Sequence, residues 1–280
     1  MHRPAPLNGC ATKSAKPMTY QHIIVAKRDR VTTITLNRPD VLNAIHRAMH
    51  DEMQAALDDF AADEGQFIGV ITGAGTRAFC AGSDLKASSA KMALPGSDYP
   101  KNGYAGLIER FDLDKPLIAA VNGFALGGGF EIALACDIIL AADTASFPLP
   151  EPLVGAVALG GGVHRLARQI GLKKAMGMIL AARRVTAAEG ERLGFVTETV
   201  PAAELAATTQ RWCESILACA PIAIRASKQS IMRGLDEPSL EAAIRSQPTY
   251  PAFAQWMTAE DTREGPRAFA EKRKPVWKGR

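Results

Sequence analysis

The chain has 280 residues, 47% hydrophobic and 22% charged, with a net charge of +4: room for one sizeable core plus an appendage, with the composition of an ordinary soluble globular protein. That charge is too mild for a nucleic-acid binder, which concentrates basic residues on one face, and no apolar run reaches the ~18 residues of a membrane span. The five cysteines are scattered without a C-x-x-C and the five histidines are not at metal-ligand spacing, so a reduced, cytoplasmic setting without structural metal is expected.

Residues 1–17 carry no acid and no apolar core, which excludes a secretory signal and reads as a disordered tail. His22 to Ala26 and Val31 to Leu36, rich in Ile, Val and Thr, predict a hairpin that Asn37-Arg38-Pro39-Asp40 terminates. Met49, Met53, Ala56, Leu57 and Phe60 fit the helical period over Arg47 to Ala62. Phe67 to Thr72 reads as a buried strand. Residues 87–103 lack periodicity and predict a long loop of the kind that serves as a lid. A short helix is expected from Tyr104 to Phe111, a strand from Leu117 to Val121, a helix from the triplet Gly127-Gly128-Gly129 to about Cys136, and a strand from Ile138 to Ala142. Beyond residue 161 every periodic segment reads helical. The predicted organisation is a tail over 1–17, an α/β core over 18–200 and a helical C-terminal region over 201–280.

Three segments carry chemistry. Ala125-Leu126-Gly127-Gly128-Gly129-Phe130-Glu131 opens a helix, and a helix N-terminus offers unpaired N–H groups and the positive end of its dipole. With Gly128 in the first turn, Glu131 lies three residues on, along the same face. A tight helix-strand crossing that only glycine fits is the structural alternative. Glu151 is fixed between Pro150 and Pro152. In Ala78-Phe79-Cys80-Ala81-Gly82-Ser83-Asp84-Leu85, the Ser83 N–H is a second candidate donor, and Asp84 suits a capping role. Paired donors aimed at a developing oxyanion are commonly the largest catalytic contribution. Two nearby carboxylates whose pKa values separate suit adding or removing water across a double bond.

Other patterns fail in context. Gly73-Ala74-Gly75-Thr76-Arg77-Ala78 resembles a dinucleotide fingerprint but does not open a helix. Ser83-Asp84-Leu85-Lys86 matches S-x-x-K without the accompanying motifs. Cys80 has an apolar neighbourhood and reads as a packed small residue. The basic C-terminal run, including Lys272 and Lys274, suits either the phosphates of an anionic ligand or a solvated tail.

From about Ile23 to Arg280 the chain resembles the crotonase superfamily, the enoyl-CoA hydratase/isomerase family. The resemblance is carried by Asn37-Arg38-Pro39, Ile71-Thr72-Gly73, Phe79 to Leu85, Lys115 to Gly123 and both glutamate segments. It implies an α/β spiral of ββα units, a helical C-terminal trimerisation region, and a homotrimer or dimer of trimers. It also implies an acyl-CoA thioester substrate, with coenzyme A arriving as part of the substrate and no separate cofactor. Ser83 and Gly128 match the oxyanion-hole positions, and Glu131 and Glu151 the catalytic glutamates of the hydratases. Ser83, Asp84, Leu85 and Lys86 match the stretch lining the CoA pocket, and Lys272 and Lys274 are candidates for its phosphates. Retention of both glutamates implies hydration of a trans-2-enoyl-CoA. Isomerisation, or a binding module for RNA or protein, is the alternative.

Within the family, Phe111 to Pro116 and the ending Glu264 to Arg280 resemble the carnitinyl-CoA dehydratase branch. Ser83 stands where that branch tends to carry a bulky aromatic, and Ala158 where the family usually has proline.

Overall fold

The computed structural model describes residues 19–85 and 99–280. The expected tail over 1–17, Lys86 and the loop residues 87–98 lie outside them. Strands β1 (Ile23–Arg28) and β2 (Val31–Leu36) form the predicted hairpin, with Ile23 opposite Leu36 and Arg28 opposite Val31. Its link, Asp29-Arg30, has φ of 49° and 67°, the left-handed pair that suits the twist of a tight hairpin. Helix α1 (Arg47–Ala62) occupies its predicted span and buries Met49, Met53, Ala56, Leu57 and Phe60. The Met49 N–H donates to His46 Nδ1 and caps its first turn.

The next strands alternate between two sheets. β3 (Ile68–Gly73) joins the large sheet in parallel beside β2, and β4 (Ala78–Cys80) leaves it. β5 (Leu117–Val121) pairs in parallel with β3, and β6 (Phe124–Ala125) pairs in parallel with β4. First strands stack on first strands and second on second, so the chain advances as a spiral. β7 (Ile138–Ala142) and β8 (Glu198–Val200) complete the large sheet, ordered β1-β2-β3-β5-β7-β8.

Helix α2 (Gly128–Ala135) follows β6 directly and is buried from Gly128 through Leu134. Phe130 on this helix packs with Phe147 and Phe195, ring centroids 5.1 to 5.3 Å apart, which fixes its position. Helices α3 (Gly162–Ile170), α4 (Leu172–Leu180) and α5 (Ala187–Leu193) precede β8. After β8 come α6 (Leu205–Leu217), α7 (Pro221–Gly234), α8 (Leu240–Ser246), α9 (Pro251–Thr258) and α10 (Glu260–Ala270). No helix among the described residues is long and apolar enough to cross a membrane.

Two expectations need correction. The helix predicted over Tyr104 to Phe111 is only a 3-10 turn, Tyr104–Gly106. Gly103, Ala105 and Gly106 all have positive φ, which no α-helix tolerates, and Gly106 sits against the Gln54 backbone where a side chain would collide. Beyond residue 161 the chain is not all helical, because β8 pairs in parallel with β7 over three residues.

Candidate active site

Strand alternation aims the first donor. After β4, the Ala81 N–H donates to Leu42 O, the Ile45 N–H to Gly82 O and the Asp84 N–H to Ile45 O, at 2.8 to 2.9 Å. Successive residues of an extended chain point to opposite sides, so the Ser83 N–H faces away from Ile45. Gly82, with φ of 84°, makes the bend. A side chain on it would lie 3.1 Å from the Gly128 nitrogen, which shows how near the second donor is.

That donor belongs to the first turn of α2, where backbone N–H groups have no helical acceptor. Gly127 precedes it with φ 51° and ψ −119°. The Leu126 N–H donates to Cys80 O at 2.9 Å, tying the turn to β4. Gly129 lies directly against Cys80 O, so a side chain there would strike backbone. The structural alternative for the glycine triplet therefore holds at Gly129, which permits the crossing, while the Gly128 N–H lies at the open end of the helix. Neither the Ser83 nor the Gly128 N–H has a hydrogen-bond acceptor among the described residues.

Glu131, three residues into α2, is 3% exposed. Its Oε1 accepts the Gly162 N–H at 2.8 Å, and its carboxylate lies against Gly160 and Gly162. Burial pushes its carboxyl up to about 7; the charge of Glu151 adds to the rise, while the Gly162 and Gly160 amides and the Arg165 guanidinium oppose it. Arg165 donates to Gly160 O at 3.5 Å and Ile108 O at 2.6 Å, joining the two loops behind Glu131.

Glu151 begins a 3-10 turn, Glu151–Val154, which Gly155 closes in the left-handed conformation. The Gly127 N–H donates to Pro148 O and the Ala125 N–H to Ser146 O, drawing this segment alongside α2. As a result Glu151 Oε1 lies 2.7 Å from where a Gly127 side chain would begin. Its Oε2 is buried without a partner among the described residues, and burial raises its pKa. The two glutamates thus flank one helix N-terminus beside two amides that are unpaired among the described residues.

Other predicted residues divide. The Asp84 carboxylate pairs with Arg38 at 3.0 Å, so it anchors the turn after β4. Leu85 is 62% exposed, one residue further on, and Lys86 falls outside the described residues. Lys272 and Lys274 lie exposed after α10, and among the described residues neither is hydrogen-bonded or ion-paired to Ser83, Gly128 or the glutamates. Cys80 is buried and its thiol is pushed up to about 12, which suits a packed residue and not a nucleophile.

Tyr104 is the site residue that sequence reasoning missed. It is 1% exposed, its ring stands on Gly128, and its hydroxyl is 3.4 Å from Ser83 Oγ. The bracketing glycines in Gly103-Tyr104-Ala105-Gly106 were the available signal, since glycines at that spacing favour a tight turn over a helix. A separate cavity of about 670 Å³ opens at the starts of β3 and β5. Its cations already serve the fold: Lys115 Nζ donates to Phe60 O and Asp63 O, and Arg225 pairs with Asp114.

Residues 26–280 match the family model described as enoyl-CoA hydratase/isomerase. A carnitinyl-CoA dehydratase of Proteus mirabilis (strain HI4320) is 42% identical over 262 residues, 93% of this chain and 99% of that protein. A carnitinyl-CoA dehydratase of Escherichia coli (strain K12) is 43% identical over 91% of this chain and 98% of its own length. Among solved structures, an enoyl-CoA hydratase from Mycobacterium tuberculosis H37Rv superposes with a TM-score of 0.85 at 35% identity, covering 92% of this chain and 99% of the other. One from Bacillus anthracis gives 0.84 at 34% identity, covering 93% and 100%. The spiral fold is the one these hydratases share, and the chain belongs to the enoyl-CoA hydratase/isomerase family.

Proposed function

We propose that the protein is an enoyl-CoA hydratase that adds water reversibly, in syn fashion, to a trans-2-enoyl-CoA. The observation that supports this most is the confinement of Glu131 and Glu151 around the N-terminus of α2, beside the unpaired amides of Ser83 and Gly128. The two N–H groups polarise the thioester carbonyl and hold the enolate oxygen that forms as water adds at Cβ. Glu131 helps take the proton from the attacking water, and Glu151 delivers one to Cα. A pair with raised pKa values can share both tasks near neutral pH. In the reverse direction the same groups expel water.

Coenzyme A comes with the substrate. The backbone from Ser83 to Leu85 lines its path, and Lys272 and Lys274 supply charge for its phosphates. As those two lysines are not hydrogen-bonded or ion-paired to the site among the described residues, they would act across a contact between copies. We place the chain in a homotrimer or a dimer of trimers on the same grounds. Leu153, Val154, Val157, Leu159, Leu172 and Leu180 are all more than half exposed, and burying such apolar side chains would favour association. Light scattering should return a mass three or six times that of one chain; a monomer would remove this part of the proposal.

The names of the relatives support a second reading, dehydration of a carnitinyl thioester. It uses the same elements in reverse and differs in the β-substituent. A quaternary ammonium is best held by aromatic faces, and Ser83 offers none. Loss of the conjugated enoyl-thioester absorbance on adding crotonyl-CoA, with crotonobetainyl-CoA beside it, separates the two. Rapid loss with crotonyl-CoA supports the general hydratase. Loss with the betaine alone supports the second reading, and loss with neither overturns both.

A further inference from the structure

Arg165, near the start of α3, sits behind Glu131 and makes no ion pair among the described residues. It is half-buried, and burial works against its charge. A guanidinium withdrawn from water without a counter-ion of its own costs stability. Its hydrogen bonds show what it does there. Nη2 donates to Ile108 O at 2.6 Å and Nη1 to Gly160 O at 3.5 Å. Ile108 follows the turn of Tyr104, whose carbonyl accepts the Ile108 N–H, and the Tyr104 ring stands on Gly128. Gly160 and Gly162 enclose the Glu131 carboxylate. A side chain on Gly160 would strike Oε2, and the Gly162 N–H donates to Oε1 at 2.8 Å. Between them Gly161 has φ of 82°, and a side chain on it would begin 2.5 Å from Arg165 Nη1. One guanidinium thus lies against both the loop that holds the carboxylate and the turn that covers the start of α2.

We propose that Arg165 is a positioning residue for Glu131: it fixes the Gly160–Gly162 loop around the carboxylate and supplies a positive charge beside it. The kinetic consequence rests on the hydration reading above; the grip on the loop does not. Glu151, across the helix N-terminus, disfavours ionisation of Glu131 by its own charge. Tyr104 on the adjoining turn and Cys136 just past α2 are held neutral by burial. Arg168, on α3, and Glu109, beside Ile108, act on Arg165. Arg165 therefore favours the Glu131 carboxylate together with the Gly162 and Gly160 amides. Hydration needs that carboxylate ionised to take the proton of water, so loss of the Arg165 charge should move the acid limb of kcat/KM to higher pH.

The test compares wild type with Arg165→Gln, Arg165→Met and Arg165→Lys. Glutamine keeps a donor without the charge, and lysine keeps the charge but cannot span two carbonyls as a guanidinium does. With crotonyl-CoA, the acid limb should rise by at least about half a pH unit in the glutamine and methionine variants, about threefold less ionised carboxylate below the limb. In Arg165→Lys the limb should return toward wild type while kcat stays reduced, because the loop is less firmly held. Titration of Glu131 itself needs no turnover. It is followed by 13C NMR in protein labelled at the glutamate side-chain carboxyl, with the signal assigned by its disappearance in Glu131→Gln. Its midpoint should rise in Arg165→Gln and Arg165→Met, and should Arg165→Met fold poorly, Arg165→Gln decides. Equal midpoints in wild type and Arg165→Gln overturn the proposal even where activity falls, since that is what a merely structural residue would give. A raised midpoint in Arg165→Gln with no turnover of any enoyl thioester by the wild type supports the proposal and overturns the hydration reading alone.

Discussion

Glu131 is a carboxyl group on a helix that is otherwise apolar, and its energetics follow from that position. Replacing it with glutamine preserves its volume and removes its proton chemistry. Under the proposed mechanism each acts in the transition state, so Glu131→Gln and Glu151→Gln should each lower kcat by about 10²- to 10⁴-fold with a much smaller change in KM. Steady-state kinetics with the productive thioester checks this, and unchanged kcat in both variants would remove the mechanism. Burial also links Glu131 to stability. Its carboxyl titrates at about 7 in the fold against an ordinary 4.5, so between those values the folded protein binds more protons than the unfolded chain. The contribution of this group is therefore fully present below pH 4.5 and is lost as pH rises through 7, a change of about 3 kcal/mol. Glutamine does not titrate. The Tm of Glu131→Gln relative to wild type should climb from pH 5 to pH 8; a constant difference would show that the raised pKa is absent.

At the scale of elements, the site depends on how closely α2 approaches β4. Gly129 meets Cys80 O with no room for a methyl group, and Cys80 is backbone of a strand held on both sides by β6 and the Ala81–Leu42 link. Gly129→Ala must then push the helix away. It should cost about 1 to 3 kcal/mol in denaturant unfolding, and should depress activity further by separating the Ser83 and Gly128 amides. Full activity in a destabilised variant would show that the donors move independently of the crossing. The elements that bear on this were unequally legible. α1, β5 and β7 lie where periodicity and apolar runs place them, because each has five or more residues and a continuous buried face. β4, β6 and β8 have only two or three residues, too few to show alternation, and exist because neighbouring strands offer hydrogen bonds. Glu131, Glu151, Ser83 and Gly128 stand out in the sequence by their glycine and proline context, and the fold brings them together around the start of α2. Tyr104 could not be placed, since its approach to Gly128 depends on a turn whose geometry comes from packing on α1.

Across the whole molecule, the C-terminal helices are tied to the sheet by charged pairs between distant parts of the chain. Arg225 on α7 makes a two-pronged pair with Asp114, 2.9 Å on each side, and Lys228 reaches Asp137 at 2.8 Å. The basic run at the end has a role that its composition alone did not reveal. Arg273 pairs with Glu264 and Glu271, and Lys278 with Glu260, so part of its charge is engaged internally. Trp277 Nε1 donates to Ala218 O, and Gly279, with φ of 74°, rests on Phe67 beside the hairpin. Asp261, 2% exposed, closes this strap by accepting the N–H groups of Lys278 and Gly279 at 2.8 and 2.9 Å. Hydrogen bonds to a charged acceptor are worth about 1.5 to 3 kcal/mol each, so Asp261→Ala should cost at least about 2 kcal/mol. Asp261→Asn keeps one acceptor oxygen and should cost less. Hydrogen exchange at the Lys278 and Gly279 amides should quicken in the alanine variant before the sheet amides do, because the strap can open locally while the core stays folded. Unchanged exchange there would mean that Trp277 and the Glu260 pairs hold the strap without Asp261.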